Sequence, residues 1–217
     1  MADTAAIDAA PIAAALPTTR DDKALHRLIF VGIAVVLIVA PLVLYPVYLM
    51  KVLCFALFAL AFNLLLGYGG LLSFGHAAYF GMASYLCAYT AKHLGFTPEV
   101  AILTGTATAA LLGLVFGALA IRRQGIYFSM ITLALAQMAY FFSLQAKFTG
   151  GEDGIQAVPR GALFGVISLA DDRAMYAVVA VIFLAGMLLI YRIIHSPFGQ
   201  VLKAIRDNEP RAISLGY

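Results

Sequence analysis

The chain has 217 residues, of which 63% are hydrophobic and 12% are charged, and its formal net charge is +3. Soluble domains carry about 25% charged residues, so this composition excludes an ordinary soluble protein and indicates that lipid surrounds most of the chain. Two cysteines are too few for a disulfide framework.

Six apolar segments follow a polar, alanine-rich start. Residues 1–27 lack the early apolar core of a signal peptide, and we expect them to form a short cytoplasmic tail. A membrane-spanning helix needs about 20 apolar residues. The sequence therefore predicts an all-α, polytopic membrane protein with about six transmembrane segments in a bundle over 28–195, followed by a cytoplasmic region at 196–217. The segments lie roughly at 28–48, 49–66, 74–91, 99–121, 125–146 and 174–194.

The basic residues predict the orientation of these segments. If the N-terminus is cytoplasmic and every segment crosses, nine basic residues lie inside and five lie outside. This asymmetry agrees with the positive-inside rule. Arg122 and Arg123 weigh most because they fill a very short predicted loop. Residue 217 is then expected to be cytoplasmic as well.

The predicted external loop at 147–173 contains Glu152 and Asp153 among glycines. Their spacing does not match a calcium-binding loop, so we interpret this stretch as a solvated turn and expect no metal. The later stretch "ALFGVISLA" is too short to span a membrane, and we expect it at the membrane surface.

The stretch "GYGGLLSFGHAAYFG", from Gly67 to Gly81, has five glycines in fifteen residues and interrupts a long apolar run. It predicts an irregular turn at the cytoplasmic end of segments 2 and 3, or a broken helix that enters the bundle beside a translocation path. Glycine that merely permits close packing is the alternative. The candidate path residues offer polar atoms to a substrate: Ser73, His76, Asn63 and Gln137.

Several functions are disfavoured by what the apolar segments lack. No Asp, Glu, Lys or Arg lies deep in a segment, whereas ion-coupled carriers place charges there. The sequence has no catalytic constellation and no phosphate-binding G-x-x-x-x-G-K-[ST] loop. We therefore predict that the chain is not an enzyme, and that separate subunits supply any ATP hydrolysis.

Segment 4 carries a row of small residues at every fourth position, which is one face of a helix. Such a face lets two helices approach closely in lipid. The row consists of Gly105, Ala109, Gly113 and Gly117.

The C-terminal region begins with Ser196 and Pro197, a typical helix start. Apolar residues at helical spacing follow, and the stretch 208–210 is expected to end this helix before a second short helix near Arg211. The pattern fits a lever that docks on a soluble partner, or an ordinary interfacial helix. The apolar stripe consists of Phe198, Val201, Leu202 and Ile205.

Four blocks appear here in the order seen in permease subunits of bacterial branched-chain amino acid ABC transporters, and the sequence most resembles the LivM-type family. The blocks are "GYGGLLSFGHAAYFGMASYLCAY", "RRQGIYFSMITLALAQMAYFF", "FTGGEDGI" and "SPFGQVLKAIRDNEPRAISLGY". The resemblance covers about residues 28–217. Because members of this family continue with further spans, we expect the chain to be truncated at its C-terminus.

The resemblance implies a role as the membrane-spanning subunit of an ATP-binding-cassette importer for branched-chain amino acids. Such a subunit lies in the bacterial inner membrane with a second permease, two cytoplasmic ATPases and an external substrate-binding protein. Membrane lipid surrounds it, and nucleic acid is not a partner. The chain itself binds no cofactor, because the ATPases use the ATP. Urea, short amides or another small polar solute are alternative substrates, and an ion-coupled carrier or channel is an alternative function.

The resemblance also implies that residues 196–217 couple to the ATPases. An E-x-x-A-x-x-x-G pattern resembles the coupling-loop motif of these importers, although Pro210 and a glycine one residue late depart from it. The implied coupling residues are Gly199, Arg206, Glu209, Ala212 and Gly216.

Overall fold

The fold is almost entirely helical. The computed structural model describes residues 19–123, 125–165 and 167–216. Its α-helices are α1 (Thr19–Val43), α2 (Pro46–Asn63), α3 (His76–His93), α4 (Pro98–Ala120), α5 (Ile126–Gln145), α6 (Asp172–Ile194), α7 (Pro197–Asp207) and α8 (Glu209–Ser214). A π-helical turn, Leu64–Tyr68, extends α2, and a 3-10 turn, Lys147–Thr149, follows α5. A small antiparallel sheet pairs β1 (Ala162–Leu163) with β2 (Ile167–Ser168).

The prediction of a polytopic helical membrane protein is confirmed. Within the described part of the chain, five helices are long and apolar enough to cross a membrane. Only α3, among the six predicted segments, lacks the required apolarity, because polar side chains such as Lys92 and His93 occupy its last turn. The five candidate spans are Ala24–Val43, Pro46–Tyr68, Pro98–Ala120, Ile126–Gln145 and Asp172–Ile194.

Helix α3 nevertheless runs antiparallel to α4 along most of its length. Ala78, near its start, packs in one buried cluster with Phe116 of α4. Thr90, near its end, lies 3.2 Å from Thr104, hydroxyl to hydroxyl. Because α4 itself is apolar enough to span, this packing supports the prediction that α3 crosses beside it.

The boundary between the first two predicted segments was wrong. We expected segment 1 to reach residue 48, but α1 ends at Val43 and α2 begins at Pro46. Proline fits the first turn of a helix, where its missing N–H leaves no hydrogen bond unmade. Tyr45, in an extended conformation, precedes it as the N-cap. Pro41 lies within α1.

Helix α1 forms a unit of its own, and the chain from Leu44 onward forms a second unit. The helix starts at Thr19, inside the tail predicted over 1–27. Residues 1–18 of that tail lie outside the described residues.

The second unit has an apolar exterior and several polar side chains inside. Leu111 and Leu114 of α4 are 66% and 71% exposed, whereas Thr132 and Thr149 are 2% and 0% exposed. A soluble domain rarely exposes apolar surface on this scale. Lipid is therefore the medium that these helices fit.

The loop at 147–173 is folded and tied to the helices around it. Lys92 Nζ donates to the Gln156 carbonyl at 2.8 Å. The Arg160 guanidinium pairs with Asp172 at the start of α6, and the Phe164 N–H donates to Glu99 of α4. The stretch expected at the membrane surface forms the β1–β2 hairpin, which apolar periodicity alone did not predict because each strand has only two residues.

The row of small residues on α4 divides into two halves. A Cβ added at Gly105 would lie 2.8 Å from the Ala83 carbonyl oxygen of α3, whereas one added at Gly113 or Gly117 would meet nothing within 4 Å. The predicted close approach of helices is therefore confirmed at Gly105. Glycine leaves space empty in the other half of the row.

This division predicts different effects of alanine along one helix face. In Gly105→Ala, the new methyl group meets a backbone carbonyl that cannot rotate away, so α3 and α4 must separate. We expect a loss of about 1–3 kcal/mol of stability, measured as a lower midpoint of thermal unfolding in detergent. Gly117→Ala is the matched control and should unfold at the parent temperature or above it. Equal destabilisation by both variants would contradict the packing described here.

Candidate functional site

The glycine-rich stretch breaks the chain between α2 and α3. After the π-helical turn, Gly70 adopts a left-handed conformation with φ +69°, which residues with a side chain rarely adopt. The chain then has no regular structure until α3 begins at His76. We call residues 70–75 the broken segment.

The broken segment lies beside the first turns of α5, and side chains of that helix satisfy its backbone. Ser129 Oγ donates to the Leu72 carbonyl at 2.7 Å, and the Phe74 N–H donates to Thr132 Oγ1 at 3.1 Å. An unpaired backbone group in an apolar medium costs several kcal/mol. These two hydroxyl groups therefore allow non-helical backbone to enter the bundle.

A cavity of about 420 Å³ lies where the broken segment meets α2, α3, α4, α5 and α7. Its walls are mostly apolar, and Ser73, His76, Tyr79 and Thr132 bring polar groups to them. Small-molecule sites commonly have about this volume and this mixture of groups. The remaining lining residues are Ala61, Leu64, Leu65, Gly69, Leu71, Gly113, Phe116, Gly117, Ala120, Ile121, Phe128, Phe198 and Leu202.

His76 is held among aromatic rings at the start of α3. Phe58, Phe62 and Tyr79 approach its ring edge-on, with centroid separations of 6.3, 5.4 and 5.9 Å. Its Nδ1 is buried without a hydrogen-bond partner of normal geometry in the described part of the chain, although the ring interacts with the Ser73 backbone. The ring is thus fixed in position at the cavity wall.

Helix α7 forms part of the cavity wall. The predicted start is confirmed, because Ser196 caps the helix and its Oγ accepts from the Gly199 N–H at 3.4 Å. Gly199 is buried against the end of α6, where an added Cβ would lie 2.6 Å from the Ile193 carbonyl oxygen. After this tight joint, Phe198 and Leu202 line the cavity wall, and Arg206 reaches the end of α2.

The far end of α7 contacts the π-helical turn. Arg206 Nη1 donates to the Gly67 carbonyl at 2.5 Å. Lys203 Nζ lies 5.2 Å from the centroid of the Tyr68 ring, within the range of a cation–π interaction. The glycine-rich stretch therefore contacts both the cavity and α7.

The four predicted path residues lie in three places. Ser73 and His76 line the cavity. Asn63 ends α2, and its Oδ1 would lie 2.8 Å from a Cβ added at Gly67. Gln137 is exposed on α5. Neither Asn63 nor Gln137 is among the described residues that line the cavity.

Sequence reasoning missed Thr132 and Tyr79. Both belong to continuous helical runs, and their neighbours along the chain do not distinguish them from packing residues. A signal for Thr132 was present, since Ser129 and Thr132 share a helix face three residues apart near the start of segment 5.

The remaining predicted coupling residues lie on or beside α8. The predicted second short helix near Arg211 is confirmed: it begins at Glu209, because Asn208 is its N-cap and accepts from the Arg211 N–H at 3.1 Å. Pro210 then lies in the first turn, where proline is tolerated. Ala212 is 2% exposed, and Gly216 follows the helix with φ +89°.

Comparison with known proteins gives matches to transport proteins. A family model described as "Branched-chain amino acid transport system / permease component" matches residues 46–217. The chain is similar to the high-affinity branched-chain amino acid transport system permease protein LivM of Escherichia coli (strain K12), with 23% identity over 185 residues. The protein of the same name from Salmonella typhimurium (strain LT2) is 22% identical. Each alignment covers 75% of this chain and 44% of the relative, so the chain spans less than half the length of these relatives. No solved structure matches it.

The hydrogen bond from the broken segment to Thr132 predicts that loss of this hydroxyl group destabilises the protein. Thr132→Val keeps the shape of the side chain but leaves the Phe74 N–H without its acceptor, which costs about 1–3 kcal/mol. We expect a lower unfolding midpoint in detergent and faster proteolysis within residues 70–75. Thr106→Val is the matched control, because the exposed Thr106 hydroxyl donates to the Ile102 carbonyl of its own helix. An unchanged Thr132→Val protein would show that α5 does not hold this segment.

Proposed function

The chain belongs to the family of permease components of branched-chain amino acid transport systems, and from this membership we propose that it is part of the membrane-spanning subunit of an ATP-binding-cassette importer. One observation carries the proposal: the family match runs from the start of α2 to the C-terminus and so includes the cavity, the broken segment and α7. The family is one of transport components, not of enzymes.

We place the substrate path at the cavity. Its volume of about 420 Å³ is within the range of sites for small molecules. The apolar walls fit a branched aliphatic side chain, which gains about 0.8 kcal/mol for each buried CH₂ group. Ser73, His76 and Tyr79 also line the cavity, and their polar groups are the proposed hydrogen-bond partners for the polar end of an amino acid. The predicted path residues Asn63 and Gln137 belong to positions outside this cavity.

Helices α7 and α8 are the proposed contact with the ATPases. Phe198 and Leu202 of α7 line the cavity, and Phe198 is also 62% exposed. Asp207, at the end of the same helix, has a side chain that is 66% exposed. Buried Gly199 fixes the joint with α6, and buried Ala212 fixes α8. A force applied to the exposed side of this region therefore reaches the cavity wall through Phe198 and Leu202. Glu209 and Gly216 complete the proposed coupling motif at the two ends of α8.

The proposed assembly contains a second permease, two cytoplasmic ATPases and an external substrate-binding protein. Membrane lipid covers the apolar exterior, and the chain binds no cofactor because the ATPases hydrolyse the ATP. We place it in the bacterial inner membrane with its N-terminus and residue 217 in the cytoplasm. Support comes from Arg122, Arg123 and Arg192, which lie at the same end of the helices as α7 and satisfy the positive-inside rule there.

Transport by the reconstituted complex tests this proposal. The complete gene product is combined in proteoliposomes with the partner proteins that neighbouring genes encode. We expect ATP-dependent accumulation of radiolabelled leucine, isoleucine and valine. Accumulation of urea or acetamide instead would contradict the assigned substrate class. Uptake driven by an ion gradient without ATP would contradict the importer assignment itself.

The empty half of the α4 glycine row predicts how the cavity can be blocked. Gly113→Leu adds a branched side chain to the cavity wall, where the first added carbon meets nothing within 4 Å. The complex should assemble normally but lose most of its leucine uptake. Gly81→Leu is the matched control, because an added Cβ there also meets nothing and Gly81 does not line the cavity. Normal uptake by Gly113→Leu would exclude this cavity from the path.

A further inference from the structure

Three side chains on one face of α7 link the cavity to the π-helical turn. Phe198, Leu202 and Arg206 are spaced four residues apart and so follow one another along the helix. The first two line the cavity, and the third reaches the Gly67 carbonyl. A movement of α7 away from α2 would therefore open the cavity and break the Arg206 contact together.

The contact of Arg206 is specific in both its charged head and its stem. Carbonyl groups in the last turn of a helix lack N–H partners from later residues, and Arg206 Nη1 supplies one to Gly67 at 2.5 Å. The stem passes over Gly70, where an added Cβ would lie 2.6 Å from Arg206 Cγ. Glycine at position 70 thus provides both the left-handed backbone and the space for the stem.

Asp207 holds the guanidinium in this orientation. Its Oδ1 accepts from Arg206 Nε at 3.0 Å and from Nη2 at 2.9 Å, which leaves Nη1 directed at Gly67. Hydrogen bonds from a charged donor are stronger than those between neutral groups. Lys203 adds a second attachment through the Tyr68 ring, 5.2 Å away.

We propose that Arg206 is a latch: it holds α7 against the end of α2, so that Phe198 and Leu202 stay in the cavity wall on the α7 side. Arg206 is a positioning residue in this proposal, because it acts on the cavity through α7 and the π-helical turn. The latch rests on the proposed function in one respect, since an ATPase docked on α7 would supply the movement that releases it.

Accessibility of a cysteine in the cavity tests the latch without any transport measurement. The reporter is Gly117→Cys, a cavity position with nothing within 4 Å of an added Cβ, in a Cys54→Ala, Cys87→Ala background. A membrane-impermeant maleimide is added to inside-out vesicles that contain the complete gene product in native membranes. Arg206→Leu should raise the labelling rate on the order of tenfold, as expected for the loss of one charged hydrogen bond. Arg206→Lys keeps a charged donor, so its labelling rate should lie between those of Arg206→Leu and the parent.

Two further variants make the test decisive. Arg192→Leu removes the same charge from the end of α6 and should leave labelling at the parent rate. Gly70→Ala should raise labelling as Arg206→Leu does, because its methyl group displaces the arginine stem, and it serves if Arg206→Leu fails to fold. Equal rates in the parent, Arg206→Leu and Gly70→Ala would overturn the latch. Faster labelling in a protein that transports no branched-chain amino acid would leave the latch standing and remove the proposed function.

Discussion

The structure depends on hydrogen bonds to the backbone of the broken segment, where the chain stops being helical inside a helical bundle. Lipid offers no hydrogen bonds, so every carbonyl and N–H of the broken segment needs a partner from the protein. Ser129 and Thr132 supply two such partners from α5, and Arg206 supplies one to the turn before it from α7. The position of the broken segment determines the position of the cavity, because Ser73 and His76 enter its wall from there.

The sequence predicts the spanning helices well because most of them coincide with a long apolar run. It predicts the ends of helices where a proline or a capping hydroxyl group marks them. Pro46 and Ser196 are such marks, although the predicted segment 1 continued past Pro46 to residue 48. The β1–β2 hairpin was missed since its strands are too short to show a period. The glycine cluster indicated a break in the helix, but not what the break would contact. In the structure the break packs closely against Arg206 and also borders a cavity.

The candidate site was harder to predict than the fold because it is assembled from distant parts of the chain. Ser73 and His76 were found through their polarity within an apolar run, yet the same criterion selected Asn63 and Gln137, which lie elsewhere. Polarity marks a residue as unusual without saying which neighbour it faces. Likewise, the glycine row on α4 has one sequence pattern but two structural roles. Gly105 contacts another helix, whereas Gly113 borders empty space, and only the path of α3 decides between them.

The folded loop at the hairpin end has a mechanical consequence. Lys92, Glu99 and Asp172 join the ends of α3, α4 and α6 to that loop, while the opposite ends of α3 and α4 border the cavity. The two ends of the bundle are therefore held in different ways: side chains at the hairpin end bind a folded loop, whereas Ser129, Thr132 and Arg206 at the cavity end bind the backbone of the glycine-rich stretch. A displacement of α7 would act first on the cavity end, because Phe198 and Leu202 lie in the wall there.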